Sequence, residues 1–115
     1  MDNDIKTWLF DILRSIEEIE CYFENRPKRF DDYLKDVKTR RAVERDIEII
    51  GEATNRILKK DNDFKLENAK KIIGTRNRII HGYDNVSDDL IWSIVINHLP
   101  KLKVEITAIL DRTDI

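Results

Sequence analysis

Residues 4–24, DIKTWLFDILRSIEEIECYFE, decide the fold class of this chain. Their apolar side chains recur at intervals of three and four residues, as the face of an amphipathic helix requires. The repeating positions are Ile5, Leu9, Ile12, Ile16, Ile19 and Phe23. Asn3 or Asp2 suits the N-cap of this helix. The sequence Asn25-Arg26-Pro27 ends it, because the residue before a proline is pushed out of the helical region.

The rest of the chain continues the helical pattern. We predict a short helix at residues 30–35, long helices at 38–60 and 66–81, and a turn at 82–85. Ser87 then suits an N-cap, and the last helix runs to about residue 111 with a kink or restart at Pro100. Long amphipathic helices with short connections predict an all-α, antiparallel four-helix bundle with one short additional helix.

The composition agrees with one small helical domain spanning residues 1–115. Only 3 Gly and 2 Pro are present, too few for the turns of a sandwich or barrel. No run of 18 apolar residues offers a membrane span, and the N-terminus lacks the order of a signal peptide. Cys21, the single cysteine, cannot form an internal disulfide. We therefore expect a cytoplasmic protein.

The charge balance is weakly acidic, with 21 basic and 23 acidic residues and a net charge of -2. A nucleic-acid-binding domain is usually basic overall. Residues 65–81 depart from this balance, because they hold five basic side chains against the single acid Glu67. A local basic face of this kind can bind phosphate even on a weakly acidic protein.

Arg76 occupies an unusual place on the predicted helix 66–81. At about 100° per residue, it falls at the centre of the apolar stripe formed by Ala69, Ile72, Ile73, Ile79 and Ile80. A guanidinium there must be paired, or must line a cleft or an interface. Asp46 lies within the apolar stripe of the preceding helix and is the best candidate to support Arg76 through an ion pair.

His81 lies about 140° around the helix from Arg76, on a basic flank with Lys70, Asn77 and Arg78. It also ends the predicted helix, where the dipole favours imidazolium. Histidine can act as a general acid or base near neutral pH, although a histidine at a helix end is commonly a cap or a packing residue. His98 has no ligand-type partner at helical spacing, so we predict no metal site and no cofactor.

The segment 74–83, GTRNRIIHGY, contains the pattern Arg-x4-His-x-Tyr. It resembles the signature of the HEPN superfamily, specifically its HepT-like toxin branch. Residues 41–57, RAVERDIEIIGEATNRI, are similar to the second long helix of that family, and residues 89–102, DLIWSIVINHLPKL, to the stretch after its motif. The resemblance covers the chain from Arg41 onward.

The resemblance implies a homodimeric helical bundle that cleaves RNA without a metal ion. It implies Arg76 and His81 as the catalytic pair, and Asn77 and Arg78 as neighbours that line the cleft or contact RNA. Lys70, which lies on the same basic flank as His81, is a further candidate for such a contact. It also implies a toxin–antitoxin pair in which an MntA-like nucleotidyltransferase neutralises the toxin by adding AMP to Tyr83.

Two other hypotheses remain open. The chain could be a catalytically silent HEPN partner that binds a nucleotide or substrate for the nucleotidyltransferase, because the same Arg and His could hold a phosphate without cutting. It could also be a structural dimer with an internal Arg76–Asp46 pair. The intact motif favours the enzyme, and the charge balance favours the silent partner. Tyr83 itself could simply pack its ring at the end of the bundle.

Overall fold

The computed structural model describes residues 1–81 and 88–113, with the backbone alone for residues 75–81 and 113. These residues form helices and no strand, which confirms the predicted all-α class for the described part. The elements in chain order are α1 Asn3–Tyr22, α2 Phe30–Lys35, α3 Val37–Lys60, α4 Glu67–His81, α5 Asp88–Ser93, a π-helical segment Ile94–His98 and α6 Leu99–Thr113.

The helix termini follow the local chemistry of the sequence. Asp2 is the N-cap of α1, and its carboxylate accepts hydrogen bonds from the N–H groups of Asp4 and Ile5 at 2.8 and 3.2 Å. Asp36 caps α3 in the same way through the N–H of Thr39 at 3.0 Å. Beyond α1, Asn25 adopts a left-handed backbone with φ of 64°, a conformation that asparagine tolerates better than most residues.

The predicted apolar stripes form the core. All six positions of the α1 stripe are buried, and so are Val43, Ile47, Ile50, Ala53 and Ile57 of α3. Helix α1 packs against α3 and α6, α4 packs against α3 and α6, and α2 packs on α3. Each of the four long helices therefore contacts two of the others. The antiparallel order and the homodimer stay predictions.

The structure around Pro100 differs from the kink or restart that the sequence predicts. The chain stays helical from Asp88 to Thr113, and the π-helical segment ends two residues before the proline, at His98. Its closing hydrogen bond runs from the N–H of Leu99 to the carbonyl of Ile94. Proline has no N–H to donate and its ring crowds the preceding turn, so the wider π turn accommodates Pro100 without ending the helix. The predicted turn at 82–85 and the predicted cap Ser87 lie outside the described residues.

Candidate functional site

Helix α4 carries the motif residues Arg76 and His81. It is α-helical from Glu67 to His81, as predicted, so His81 is its last residue. Ala69 and Ile72 are fully buried, and Arg76 follows them by seven and four residues. The Cα atom of Arg76 therefore continues the line of the buried face of α4. Along a regular helix, the Cα of His81 lies about 140° further around the axis.

Several predicted site residues fall where the structure gives no side-chain geometry. The side chains of Arg76, Asn77, Arg78 and His81 lie outside the described part, and all of Tyr83 does. Their convergence into one cleft therefore stays a prediction. Lys70 is described and is exposed on α4, as a residue that contacts RNA requires.

Asp46, the predicted support for Arg76, is buried at the contact between α1 and α3. Its carboxylate accepts a hydrogen bond from the hydroxyl of Tyr22 at 2.7 Å, and Ser15 also hydrogen-bonds to it. Burial, followed by a hydrogen bond and the charge of Glu18, raises the pKa of Asp46 to about 7. The described partners of Asp46 thus lie on α1. A pair between Asp46 and Arg76 stays a prediction, because it would involve a side chain outside the described part.

His98, in the π-helical segment, lies close to positive charge. Partial burial, followed by the nearby Lys71 of α4 and Lys101 of α6, lowers the pKa of His98. Both lysines are exposed, and neither forms an ion pair within the described part of the chain. The basic character that the sequence predicts for α4 therefore continues onto the neighbouring helix.

The sequence does not predict the contacts that hold α5, the helix that follows the Arg-x4-His-x-Tyr motif of residues 76–83. Arg40 of α3 donates a hydrogen bond from Nη1 to Oδ2 of Asp88, the first residue of α5, at 3.0 Å. The two residues are 48 positions apart, so no helical spacing relates them. The only sequence signal is the acidic first turn of α5, which the helix dipole explains equally well.

No group of three His, Cys, Asp or Glu side chains among the described residues could hold a metal ion. None of the helices in residues 1–81 and 88–113 has both the length and the apolar character needed to cross a membrane.

Known proteins identify the class to which this helical chain belongs. A sequence model of the family described as "Ribonuclease HepT-like" matches residues 12–109. The protein of Thermococcus cleftensis named "Probable ribonuclease HepT" is 37% identical over 107 residues, which cover 90% of this chain and 93% of that protein. "Putative RNase MJ0127" of Methanocaldococcus jannaschii is 36% identical over 109 residues, which cover 93% of this chain and 88% of that protein. No solved structure matches the chain.

These similarities define a protein of ribonuclease type, and its described residues are helical. The chain belongs to the HepT-like ribonuclease family, because the family match covers most of its length. The predicted resemblance to the HepT-like branch is thereby confirmed, and ribonuclease function is supported.

Proposed function

We propose that this protein is a metal-independent endoribonuclease, the toxin of a toxin–antitoxin pair, that acts in the cytoplasm as a homodimeric, antiparallel four-helix bundle. Arg76 and His81 carry out the cleavage, and an MntA-like nucleotidyltransferase neutralises the enzyme by transferring AMP to Tyr83. The observation that carries the proposal is the family match over residues 12–109, which includes the complete Arg-x4-His-x-Tyr pattern of this sequence.

The reaction suits these residue types. RNA carries its own nucleophile, the 2′-hydroxyl, which attacks the adjacent phosphorus as the bond from phosphorus to the 5′-oxygen breaks. A base takes the proton of the 2′-hydroxyl, and an acid gives a proton to the leaving 5′-oxygen. His81 can perform either proton transfer. The planar guanidinium of Arg76 suits the phosphate oxygens, whose negative charge increases in the transition state.

A two-fold dimer brings these groups together. The regular α-helical backbone of α4 up to His81 supports this arrangement, since one undistorted helix holds the Cα atoms of Arg76 and His81 on different sides. Two copies of α4 that meet across an axis would place the Arg76 of one copy near the His81 of the other. The dimer also accounts for an arginine on an apolar face, because part of that face becomes the interface.

Cleavage of RNA by the wild type and by His81→Ala tests the enzymatic proposal. We expect the wild type to cut RNA in the presence of EDTA and His81→Ala to cut at least about 100-fold more slowly. Lys59→Ala, an exposed lysine of α3, is the matched control and should cut at the wild-type rate. A requirement for added Mg²⁺ would refute the metal-free mechanism.

Tyr83→Phe tests the neutralisation by the partner. A phenol with a pKa near 10 is a poor nucleophile at neutral pH, so addition of AMP needs an enzyme. After co-expression with the nucleotidyltransferase, intact mass spectrometry should show added AMP on the wild type and none on Tyr83→Phe. The variant should keep its ribonuclease activity and its toxicity. An adduct that persists in Tyr83→Phe would show that another residue is modified.

A silent nucleotide-binding partner is the second candidate, and the net charge of -2 favours it. An acidic chain repels RNA at long range, whereas a single nucleotide needs only a local cation. This candidate predicts that the wild type binds a nucleotide phosphate through Arg76 and His81 but leaves RNA intact. The cleavage assay above separates the two functions.

A further inference from the structure

A group of five residues, Tyr33, Arg40, Glu44, Asp88 and Trp92, joins α2, α3 and α5; we refer to it as the α5 anchor. Its central contact is the ion pair between Arg40 and Asp88 at 3.0 Å. The two side chains are 28% and 26% exposed, so this pair is shielded more than a typical surface ion pair. Asp88 begins α5 directly after residues 82–87, which follow His81 and contain Tyr83.

An aromatic contact complements the ion pair one turn further along α5. The ring of Trp92 lies 5.0 Å from the ring of the buried Tyr33 and 5.6 Å from that of Phe23, measured between centroids. Helix α5, Asp88–Ser93, is the N-terminal part of the helical stretch that continues to Thr113. The first turn of a helix frays more readily than its interior, so the contacts with α2 and α3 hold the Asp88 end in place.

The α5 anchor also contains two polar groups that have no hydrogen-bond partner among the described residues. Tyr33 Oη and Arg40 Nε are buried and have no hydrogen-bond partner in the described part of the chain. Burial, followed by the charge of Asp88, raises the pKa of Glu44, one turn after Arg40 on α3. Buried groups without partners cost stability, and this cost offsets part of what the ion pair between Arg40 and Asp88 contributes.

We propose that Arg40 is a positioning residue, which fixes the α5 end of the segment that carries Tyr83 and follows His81. Helix α4 packs on α3, and the Arg40–Asp88 pair ties the first residue of α5 to the same helix. Residues 82–87 are thus flanked by His81, the last residue of a helix that packs on α3, and by Asp88, which pairs with Arg40 of α3. The expected effect of Arg40 on the rate of RNA cleavage rests on the proposed function. The expected effect of Arg40 on the position of residues 82–87 does not.

Arg40→Ala, Asp88→Ala and the double variant test the proposal, with Arg40→Lys as a variant that keeps the charge. The matched control is Arg56→Ala, which removes an exposed ion pair with Glu52 on the same helix at 2.6 Å. Two quantities are measured: hydrogen exchange of peptides covering residues 82–92, and kcat and KM for RNA cleavage. Thermal unfolding of each variant verifies that it is folded.

We expect Arg40→Ala to accelerate exchange in residues 82–92 and to lower kcat about tenfold, with KM within about twofold. The segment begins directly after the catalytic His81, and a small displacement of that group reduces the rate strongly. The double variant should lose no more than either single variant, since the two residues act as one pair. Arg40→Lys should recover part of kcat, and Arg56→Ala should change neither quantity.

Unchanged exchange in residues 82–92 of Arg40→Ala would overturn the proposal. So would faster exchange that extends equally to α1 and α3, which indicates general destabilisation. If the wild type cuts no RNA while Arg40→Ala still accelerates exchange only in residues 82–92, the proposed ribonuclease function fails and the positioning role of Arg40 stands.

Discussion

The contact between α1 and α3 and the α5 anchor both bury polar groups, but they differ in how fully those groups are satisfied. In the first, the buried Asp46 receives hydrogen bonds from Tyr22 and Ser15. In the second, Tyr33 Oη and Arg40 Nε have no hydrogen-bond partner in the described part. The well-satisfied group lies within the helical core, and the poorly satisfied one adjoins the motif segment. Natural proteins commonly keep such local imperfections near functional sites.

The largest expected effect is a loss of RNA cleavage. Arg76→Ala and His81→Ala should each lower the RNA cleavage rate by about 10²–10⁴-fold, on the order of 3–5 kcal/mol of barrier, since each removes a group that acts in the transition state. The double variant should be little slower than either single variant, because the groups act as a unit. Single-turnover cleavage at saturating RNA measures these rates.

The free energy of unfolding of Arg76→Ala tests whether Arg76 is a catalytic residue or the partner of the buried Asp46. If Arg76 acts in catalysis, its loss should leave the free energy of unfolding within about 1 kcal/mol of the wild type. A loss of several kcal/mol in Arg76→Ala, matched by Asp46→Ala, would instead support the structural ion pair between these residues.

The next effect concerns the pH dependence of stability. The pKa of Asp46 is about 7 in the folded protein and near its ordinary value of 3.8 in the unfolded chain. The folded state therefore holds a proton that the unfolded state releases, and the stability gained from this proton is lost as the pH rises from about 4 through 7. Asp46→Asn lacks this loss, so its free energy of unfolding relative to that of the wild type should increase as the pH rises across that range.

Urea denaturation of the wild type and Asp46→Asn at pH 4.5, 6 and 8 measures this difference. Asp31→Asn, which changes an exposed aspartate of α2, is the control and should follow the wild-type curve. If the free energies of unfolding of wild type and Asp46→Asn depend on pH in the same way, Asp46 is ionised throughout the range, as a close cation would require.

The smallest effect compares two tyrosine hydroxyls directly. Tyr22→Phe removes the 2.7 Å hydrogen bond to Asp46 and should cost about 1–2 kcal/mol of unfolding free energy. Tyr33→Phe removes a buried hydroxyl that has no hydrogen-bond partner in the described part of the chain, so it should be neutral or stabilising by up to about 1 kcal/mol. Chemical denaturation at pH 7 ranks the two. If Tyr33→Phe lost more unfolding free energy than Tyr22→Phe, the Tyr33 hydroxyl would be the better satisfied of the two, and the comparison above would be wrong.

The sequence predicts those features that depend on residues close together along the chain. The short helix at 30–35 is found with these bounds, and the cap at Asp2 and the buried stripes of α1 and α3 are as expected. Each follows from spacing, capping chemistry or the effect of a proline within a few residues. The sequence also places Asp46 on a buried face for the same reason.

Features that depend on contacts between distant segments are not predictable in this way. Nothing in the spacing identifies Tyr22 as the partner of Asp46, or Arg40 as the partner of Asp88, because each pair joins two different helices. The sequence predicts a kink or restart at Pro100, whereas the structure has a π-helical segment at Ile94–His98 and a helix that continues through the proline. A proline can bend, break or widen a helix, and packing of the flanking apolar residues decides among these outcomes.

The contact between α1 and α6 has a consequence for synthesis of the protein. These helices lie at opposite ends of the described chain, so α1 cannot cover its α6-facing side until residues 99–113 have left the ribosome. A nascent chain whose motif at 76–83 has already been translated therefore still lacks one side of its core. Closure of the core follows translation of the motif, and a truncated product that ends before α6 would expose apolar surface to chaperones and proteases.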